Sequence, residues 1–265
     1  MSSPDQAIAS TDHYRRQYEE IARLAGALAH EIKNPLSTIL MNMDLLAEDF
    51  AEAASPRERR ALAKIHVVTD QCLRLQNLLN DFLRFSRVRN LDLSPGSLNE
   101  QVASVLDFVA PQAARQKIEI TRYLDPDLPS ILLDDETLYA AILNLVMNAV
   151  QAMPDGGTLT ARTRDTKQGV ALDLIDTGCG MNDETALKMF EPFFSTKEGG
   201  SGLGLPTTRK IIEAHGAWMN VQSELGRGTQ FTIEFPVPAR LKSFNPEPQA
   251  FDPEPQATGE GRSRK

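Results

Sequence analysis

Hydrophobic residues recur at helical spacing through the first third of the chain. One apolar stripe advances in steps of three and four residues and consists of Leu28, Ile32, Pro35, Ile39, Met43, Leu46 and Phe50. This spacing predicts an amphipathic helix from about residue 13 to residue 50. A heptad pattern predicts a second long helix over residues 57–89, and a turn around Pro56 would join the two as a helical hairpin.

The second predicted helix carries two apolar seams with heptad spacing. They consist of Ile65, Cys72 and Leu79, and of Val68, Leu75 and Phe82. Because a single hairpin buries two such seams poorly, we expect a homodimer in which two hairpins form a four-helix bundle. The alternative is that the hairpin packs on the second domain of its own chain.

Beyond the hairpin, short strands alternate with helices. Residues 90–96 are predicted to form a linker, and Ser97–Glu100 is a capping box that begins a new helix. Strands are predicted at residues 118–123, 131–133, 158–164, 170–176, 217–223 and 229–235, and helices at residues 136–152 and 206–215. The fold class is therefore multi-domain, with an α hairpin followed by an α/β sandwich that has helices on one face of a mixed sheet.

These patterns divide the chain into five segments. They are an N-terminal extension (1–14), the hairpin (15–89), the linker (90–96), the second domain (97–238) and a tail (239–265). The tail contains Phe244–Ala250 and a near copy, Phe251–Ala257. Its proline and glutamate content predicts a disordered segment.

Composition and charge exclude several classes of function. The 265 residues are 41% hydrophobic, which is enough to build globular cores, and the net charge of −8 with no dense basic stripe argues against a nucleic-acid partner. Cys72 and Cys179 have neither metal-binding spacing nor a disulfide framework. There is no apolar run as long as a membrane span and no pattern of a signal peptide. We therefore expect a protein of the reducing cytoplasm.

His30 is the first candidate for chemistry, because it lies almost opposite the apolar stripe of its helix. Glu31 can orient the imidazole or accept its proton, which leaves one ring nitrogen nucleophilic near neutral pH. Asn34, one turn later, can hold a water or a phosphoryl oxygen. Pro35 is predicted to kink the helix just past this site. The alternative is an exposed polar face with an incidental proline.

The second domain carries an amide pair and then a carboxylate followed by glycines. Asn144 and Asn148 lie on one face of a helix, and their neutral oxygens suit a Mg²⁺ ion that already carries nucleotide phosphates. Asp176, at the end of an apolar strand, can accept a hydrogen bond from an exocyclic amine such as that of adenine. Gly178 and Gly180 would let the backbone approach the base. Taken singly, an asparagine pair and an Asp-rich turn are also common structural features.

A glycine-rich loop, Lys197–Leu205, leads directly into the next predicted helix. Its glycines include Gly200, Gly202 and Gly204, which surround Leu203. They free backbone N–H groups to face a phosphate chain, and the helix N-terminus adds its partial positive charge. Lys197 would supply a mobile cation. Thr229, after Gly226–Gly228, belongs to a weaker fourth element that could also be a simple turn.

In this order, the motifs resemble those of the sensor histidine kinases of two-component signalling, over residues 15–238. The matching segments are Ala29–Pro35 (H box), Asn144–Asn148 (N box), Asp176–Gly180 (G1 box), Phe190–Lys197 (F box and the start of the ATP lid) and Gly200–Gly204 (G2 box). The residues of the H box and the F box are most similar to those of the nitrogen-regulation and zinc-responsive branch, whose partners are often activators of sigma-54 transcription.

The resemblance implies a dimerisation and phosphotransfer hairpin followed by a Bergerat-type ATP-binding domain. His30 would be the phosphoacceptor, Glu31 its general base and Asn34 a residue for dephosphorylating a response regulator. Asn148 would be the principal Mg²⁺ ligand, with Asn144 assisting. The implied ATP site comprises Asn144, Asn148, Asp176, Gly178, Gly180, Lys197, Gly200, Gly202, Leu203, Gly204 and Thr229.

Two features depart from the family pattern. Gln151 stands where many members have Lys or Arg, which leaves Lys197 as the main candidate for a phosphate-binding cation. Most members also carry a sensor segment, whereas only about 14 residues precede the first predicted helix. We therefore expect either an upstream sensory protein that docks on the bundle or a chain that is a fragment.

Two other functions compete with a kinase that phosphorylates His30 and then an aspartate of a response regulator. An ATPase of the gyrase, Hsp90 and MutL group needs a carboxylate four residues before its metal-binding asparagine, and Asn144 at that position cannot act as a base. A catalytically silent nucleotide-binding scaffold is the other alternative. For the kinase, residues 90–96 are also the predicted hinge that lets the ATP-binding domain reach His30.

Overall fold

A computed structural model describes residues 31–52, 55–87, 91–197 and 200–237. Helix α1 is described over residues 31–49 and helix α2 over Pro56–Arg87, in agreement with the predicted helical hairpin. The Ser55 hydroxyl accepts a hydrogen bond from the Glu58 N–H at 3.2 Å, and the Glu58 carboxylate accepts one from the Ser55 N–H at 2.9 Å. This reciprocal capping box, with Pro56 in the first helical position, fixes where α2 begins.

Several sequence predictions fall on residues outside the described ranges. They are the N-terminal extension, the predicted helix up to and including His30, the start of the linker at residue 90 and the tail from residue 239.

Within one chain, the hairpin buries only part of its apolar surface. On α2, Ile65 and Cys72 are 8% and 6% exposed, whereas Val68 and Leu75 of the second seam are 41% and 51% exposed. The predicted stripe on α1 is also open, since Ile32 is 46% exposed. The exposed residues keep the predicted helical spacing, because Ile39 and Leu46 of the same stripe are also 41% and 39% exposed.

The second domain consists of strands and helices in alternation. They are β1 (Ser94–Gly96), α3 (Leu98–Arg115), β2 (Ile118–Tyr123), β3 (Ile131–Leu133), α4 (Asp135–Gln151), β4 (Gly157–Asp165), β5 (Gly169–Asp176), α5 (Asp183–Lys188), α6 (Gly204–Ala214), β6 (Trp218–Glu224) and β7 (Gly228–Pro236). The predicted cap of α3 is present, because the Ser97 hydroxyl accepts a hydrogen bond from the Glu100 N–H. Asp134 caps α4 in the same way through the Thr137 N–H.

The main sheet has the strand order β2-β4-β5-β7-β6. Strands β2 and β4 are parallel, and the other neighbours are antiparallel, so the sheet is mixed as predicted. Alternate residues of β5 and β7 join apolar residues of α3, α4 and α6 in one core, with Leu106, Ile142, Leu172, Ile212 and Ile233 completely buried. The three helices therefore cover one face of the sheet.

The predicted linker differs from the structure at its C-terminal end. Ser94–Gly96 form strand β1, which pairs with β3 in antiparallel register and places Gly96 opposite Ile131. A Cβ at Gly96 would come within 3.0 Å of the Leu133 side chain. The Asp92 N–H also donates to the Asp134 carboxylate at 3.0 Å, so the chain is already attached to the second domain from residue 92.

Candidate functional site

A cavity of about 490 Å³ opens between α4, the end of β5, the loop before α6 and the first turn of α6. This volume is in the range of small-molecule binding clefts. Nine predicted site residues line it, namely Asn144, Asn148, Asp176, Gly180, Lys197, Gly200, Gly202, Gly204 and Thr229. The fold therefore brings motifs that are distant in sequence to one place. Gly178 and Leu203, which were also predicted, are not part of the lining.

Asp176 lies at the end of β5 and is only 5% exposed. Its Oδ1 accepts hydrogen bonds from the backbone N–H groups of Gly178 at 2.8 Å and Thr229 at 3.2 Å. Burial raises the pKa of this carboxyl, and the two backbone hydrogen bonds oppose the rise. Within the described part of the chain, Oδ2 accepts no hydrogen bond, so one oxygen remains as an acceptor for a ligand in the cavity.

The glycines after Asp176 allow close packing of the backbone. A Cβ at Gly178 would come within 2.6 Å of the Ala152 carbonyl at the end of α4. Gly180 has a φ of +62° and approaches the Glu224 carbonyl so closely that a Cβ would overlap it. Gly178 therefore holds the wall of the cavity in place, whereas Gly180 also lines the cavity itself.

Asn144 connects two walls of the cavity. Its Nδ2 donates to the hydroxyl of Thr208 on α6 at 2.9 Å. A Cβ at Gly204 would come within 2.6 Å of Asn144 Oδ1, which explains why glycine is needed at that position. Asn144 thus joins α4 to the start of α6, in addition to the metal-assisting role that the resemblance implies.

Lys197 reaches from the loop to the amide pair of α4. Its Nζ donates to Asn148 Oδ1 at 2.7 Å and to Gln151 Oε1 at 2.6 Å. Partial desolvation of the ammonium group lowers the pKa of Lys197, and the nearby Cys179 opposes this shift. The lysine predicted to contact phosphate is therefore bound to the asparagine predicted to bind metal.

The donor set at Asn148 fits Mg²⁺. A cation, the Lys197 ammonium, already lies on the Asn148 amide oxygen and marks where a positive charge is stabilised. In the residues that the structure describes, there is no group of three or more His, Cys, Asp or Glu side chains able to hold a metal ion. Mg²⁺ bound to nucleotide phosphates keeps several waters and needs few protein ligands, so amide oxygens are suitable.

The N-terminus of α6 forms the anion-binding end of the site. Its N-cap is Leu203, which makes no side-chain capping bond, and the first turn contains no acidic residue. The first backbone N–H groups of this 11-residue helix are therefore available to an anion. The Leu203 side chain is 1% exposed and is buried beneath this turn. Gly202 has a φ of +65°, and its carbonyl accepts a hydrogen bond from the Phe193 N–H at 3.0 Å.

The candidate phosphoacceptor region lies on the other part of the structure. Glu31 and Asn34 are both exposed on α1, and neither lines the cavity. The helix continues through Pro35 to residue 49, so the proline does not end it. His30 itself lies outside the described residues.

Sequence reasoning missed much of the cavity lining. Apolar side chains cover a large part of it, among them Met147, Met181, Met189, Phe194 and Phe231. Such side chains suit the faces of a flat aromatic base. Gln151 was also missed as a site residue, although its position three residues after Asn148 placed it on the same helix face.

Two family models match the chain. The "His Kinase A (phospho-acceptor) domain" matches residues 20–91, and the "Histidine kinase-, DNA gyrase B-, and HSP90-like ATPase" matches residues 133–239. Across the described part of the chain, no helix combines the length and the apolar character that spanning a membrane requires.

Among curated proteins, the sensor histidine kinase ZraS of Klebsiella oxytoca is 35% identical over 84% of this chain and 47% of its own length. ZraS of Escherichia coli (strain K12) is 32% identical over 85% of this chain and 48% of its own length. The chain thus spans about half the length of these relatives. Among solved structures, full-length ShkA in complex with AMPPNP superposes with a TM-score of 0.64 at 30% identity, covering 81% of this chain and 45% of that one.

Proposed function

The chain belongs to the sensor histidine kinases of two-component signalling, and from this membership we propose that it transfers the γ-phosphoryl group of ATP to His30 and then to an aspartate of a response regulator. The observation that carries the proposal is the cavity itself. It brings together the Asp176 carboxylate, of which only one oxygen is hydrogen-bonded, the uncapped N-terminus of α6 and Lys197. These are acceptors and donors for the two ends of a nucleotide. The similar protein ShkA was solved with the ATP analogue AMPPNP.

ATP binding would use the two ends of the cavity differently. Asp176 Oδ2 accepts a hydrogen bond from the adenine amine, and the apolar lining covers the faces of the base. The phosphates lie against the first turn of α6, with Gly200, Gly202 and Gly204 allowing close approach. Asn148, with Asn144 assisting, would hold Mg²⁺, which when bound would neutralise charge on the phosphate oxygens.

Phosphoryl transfer would proceed in two balanced steps. A ring nitrogen of His30 forms a bond to the γ-phosphorus while the bond from that phosphorus to the bridging oxygen breaks, and ADP leaves with the electron pair. Glu31, which is exposed on α1 and follows His30 in the sequence, accepts the proton from the other ring nitrogen. In the second step a carboxylate of the partner attacks the phosphorus, the N–P bond breaks, and the imidazole takes up a proton. Positioning and charge stabilisation supply most of the rate.

A homodimer would complete the hairpin domain. The uncovered face includes Val68 and Leu75 on α2 and Ile32 on α1, and a second copy of the same hairpin offers the matching apolar face. Two copies would form the four-helix bundle expected from the heptad pattern.

The partner of the second step would be a response regulator, of the type that activates sigma-54 transcription. Asn34 is exposed and would position a water for dephosphorylation of that partner. Both cysteines are free thiols, which fits the cytoplasmic location that we propose.

One experiment separates this function from its rivals. Purified protein is incubated with Mg²⁺ and γ-labelled ATP beside His30→Gln, with His66→Gln as the matched control because His66 is an exposed histidine on α2. We expect an acid-labile, base-stable label that His30→Gln removes and His66→Gln retains. Free phosphate released equally by all three proteins would support the ATPase instead. Bound nucleotide without any label would support the scaffold.

A further inference from the structure

The Lys197 ammonium group is bound by one turn of α4. It donates to the amide oxygens of Asn148 at 2.7 Å and Gln151 at 2.6 Å, residues that lie three apart on one helix face. Charge-assisted hydrogen bonds of this length are stronger than neutral ones. A lysine on an exposed loop usually keeps its ammonium group in water, so this placement needs a reason.

The backbone around Lys197 is also fixed. The Lys197 N–H donates to the Ser195 hydroxyl at 3.1 Å, and its carbonyl accepts a hydrogen bond from the Gly200 N–H at 3.1 Å. The side chain therefore extends from a bonded segment of the loop across the cavity to α4. The two amide oxygens form a cation site, and the cation that occupies it is the Lys197 ammonium group of the same chain.

The amide oxygen of Asn148 cannot bind the Lys197 ammonium and a metal ion at the same time. Two cations on one amide oxygen would lie within a few ångströms of each other and repel strongly. Gln151 provides a second oxygen to the ammonium group, and so favours the state in which Lys197 lies on Asn148. Nucleotide without metal does not create this conflict, because the ammonium can remain as a counter-ion to the phosphates.

We propose that Gln151 is a positioning residue that holds the Lys197 ammonium on Asn148 as a stand-in cation, and that binding of a Mg²⁺–nucleotide exchanges this ammonium for the metal ion. Gln151 thereby sets how strongly nucleotide binding depends on Mg²⁺. This inference rests on the proposed function, since it takes Asn148 to be the metal ligand.

The first test measures the ADP dissociation constant in EDTA and in Mg²⁺. The quantity compared between variants is the constant in EDTA divided by the constant in Mg²⁺, so a larger ratio means a stronger dependence on Mg²⁺. Gln151→Leu removes the second oxygen at an exposed position near the end of α4, so the fold should be retained. We expect the ratio to rise about fivefold, the usual effect of one partly exposed hydrogen bond. Gln151→Glu should lower the ratio, because a carboxylate holds the ammonium more strongly.

A double-mutant cycle separates this role from a general effect on the helix. In a Lys197→Met background there is no ammonium to hold, so Gln151→Leu should leave the ratio unchanged. A Gln151→Leu effect of the same size with and without Lys197 would overturn the proposal. So would equal ratios for the wild type, Gln151→Leu and Gln151→Glu.

A second readout requires no nucleotide. Pulse acetylation followed by mass spectrometry measures the reactivity of each lysine, and Lys188, which pairs with Glu184 at 3.0 Å, is the internal control. Gln151→Leu should accelerate labelling of Lys197 severalfold and leave Lys188 unchanged. Equal labelling of Lys197 in both proteins would overturn the holding role. Failure of the wild type to bind ADP in either buffer would instead refute the nucleotide site, and the labelling result would still decide whether Gln151 holds Lys197.

Discussion

Replacement of Asp176 by asparagine should weaken nucleotide binding strongly. The side chain accepts two backbone hydrogen bonds through Oδ1, from Gly178 and Thr229. An asparagine that keeps these bonds turns its NH₂ group toward the cavity, where it meets the donor amine of adenine. One hydrogen bond to a charged group is lost and two donors face each other, which corresponds to about 1.5–3 kcal/mol, or about 10- to 150-fold in the dissociation constant of ADP.

The same substitution should stabilise the nucleotide-free protein at neutral pH. Burial raises the pKa of Asp176, so the folded state binds this proton more tightly than the unfolded state does. The wild-type free energy of unfolding therefore falls as pH rises from the ordinary carboxyl pKa of 3.8 through the raised value. Asparagine has no charge to desolvate, so the advantage of Asp176→Asn should grow over this interval and then level off.

Asp173 is the matched control, because it is buried three residues earlier on the same strand. Burial alone would raise its pKa, but hydrogen bonds from Thr232, Arg162 and Arg164 outweigh burial and lower it. Asp173→Asn should therefore lose stability above the ordinary carboxyl pKa. This loss should shrink as pH falls through the lowered value.

Urea unfolding at several pH values, together with calorimetric titration of ADP, measures both effects of Asp176→Asn. Wild-type affinity for ADP in this variant would refute the assignment of Asp176 to adenine. A variant less stable than the wild type at neutral pH would refute the desolvation argument, whatever its affinity.

Three further predictions concern the hairpin and its connection. Leu75→Asp places a charge on the uncovered seam of α2 and should yield monomers in sedimentation while ADP binding is retained; a stable dimer would count against this interface. Asn34→Ala should leave autophosphorylation unchanged but prolong the lifetime of the phosphorylated partner, and an unaltered lifetime would remove its role. Leu91→Pro, just before the attachment at Asp92, should slow autophosphorylation several-fold without weakening ADP binding, whereas an unchanged rate would argue against a hinge there.

The fold was largely predictable because most of its elements have a clear hydrophobic period. The alternation of Phe231, Ile233 and Phe235 identified β7, and these three side chains are buried in the core. Strand β1 was missed because Pro95 and Gly96 are typical turn residues, and its three residues are strand only through pairing with β3. The six-residue helix α5 buries none of its residues, so it has no apolar period to detect.

The residues of the candidate site were largely predictable, but the hydrogen bonds between them were not. The spacing of Asn144 and Asn148 placed both on one face of α4, but it could not identify Thr208 as the partner of Asn144. Likewise, Gln151 was recognised only as a departure from the family pattern. Its contact with Lys197 joins residues 46 positions apart and depends on the tertiary fold.

Helix α4 is bonded to every other part of the cavity that contributes a predicted nucleotide contact, so substitutions on α4 should affect several of these contacts at once. Asn144 bonds to α6, Asn148 and Gln151 bond to the loop at Lys197, and the carbonyl of Ala152 accepts a hydrogen bond from the Cys179 N–H at 3.0 Å. A small displacement of α4 would therefore move the adenine end, the phosphate end and the cation position of the cavity together. Substitutions on this face share partners, so their effects on nucleotide binding should be non-additive. Pairs of substitutions that share no partner, such as Leu75→Asp on α2 and Asp176→Asn on β5, should combine additively in ADP binding.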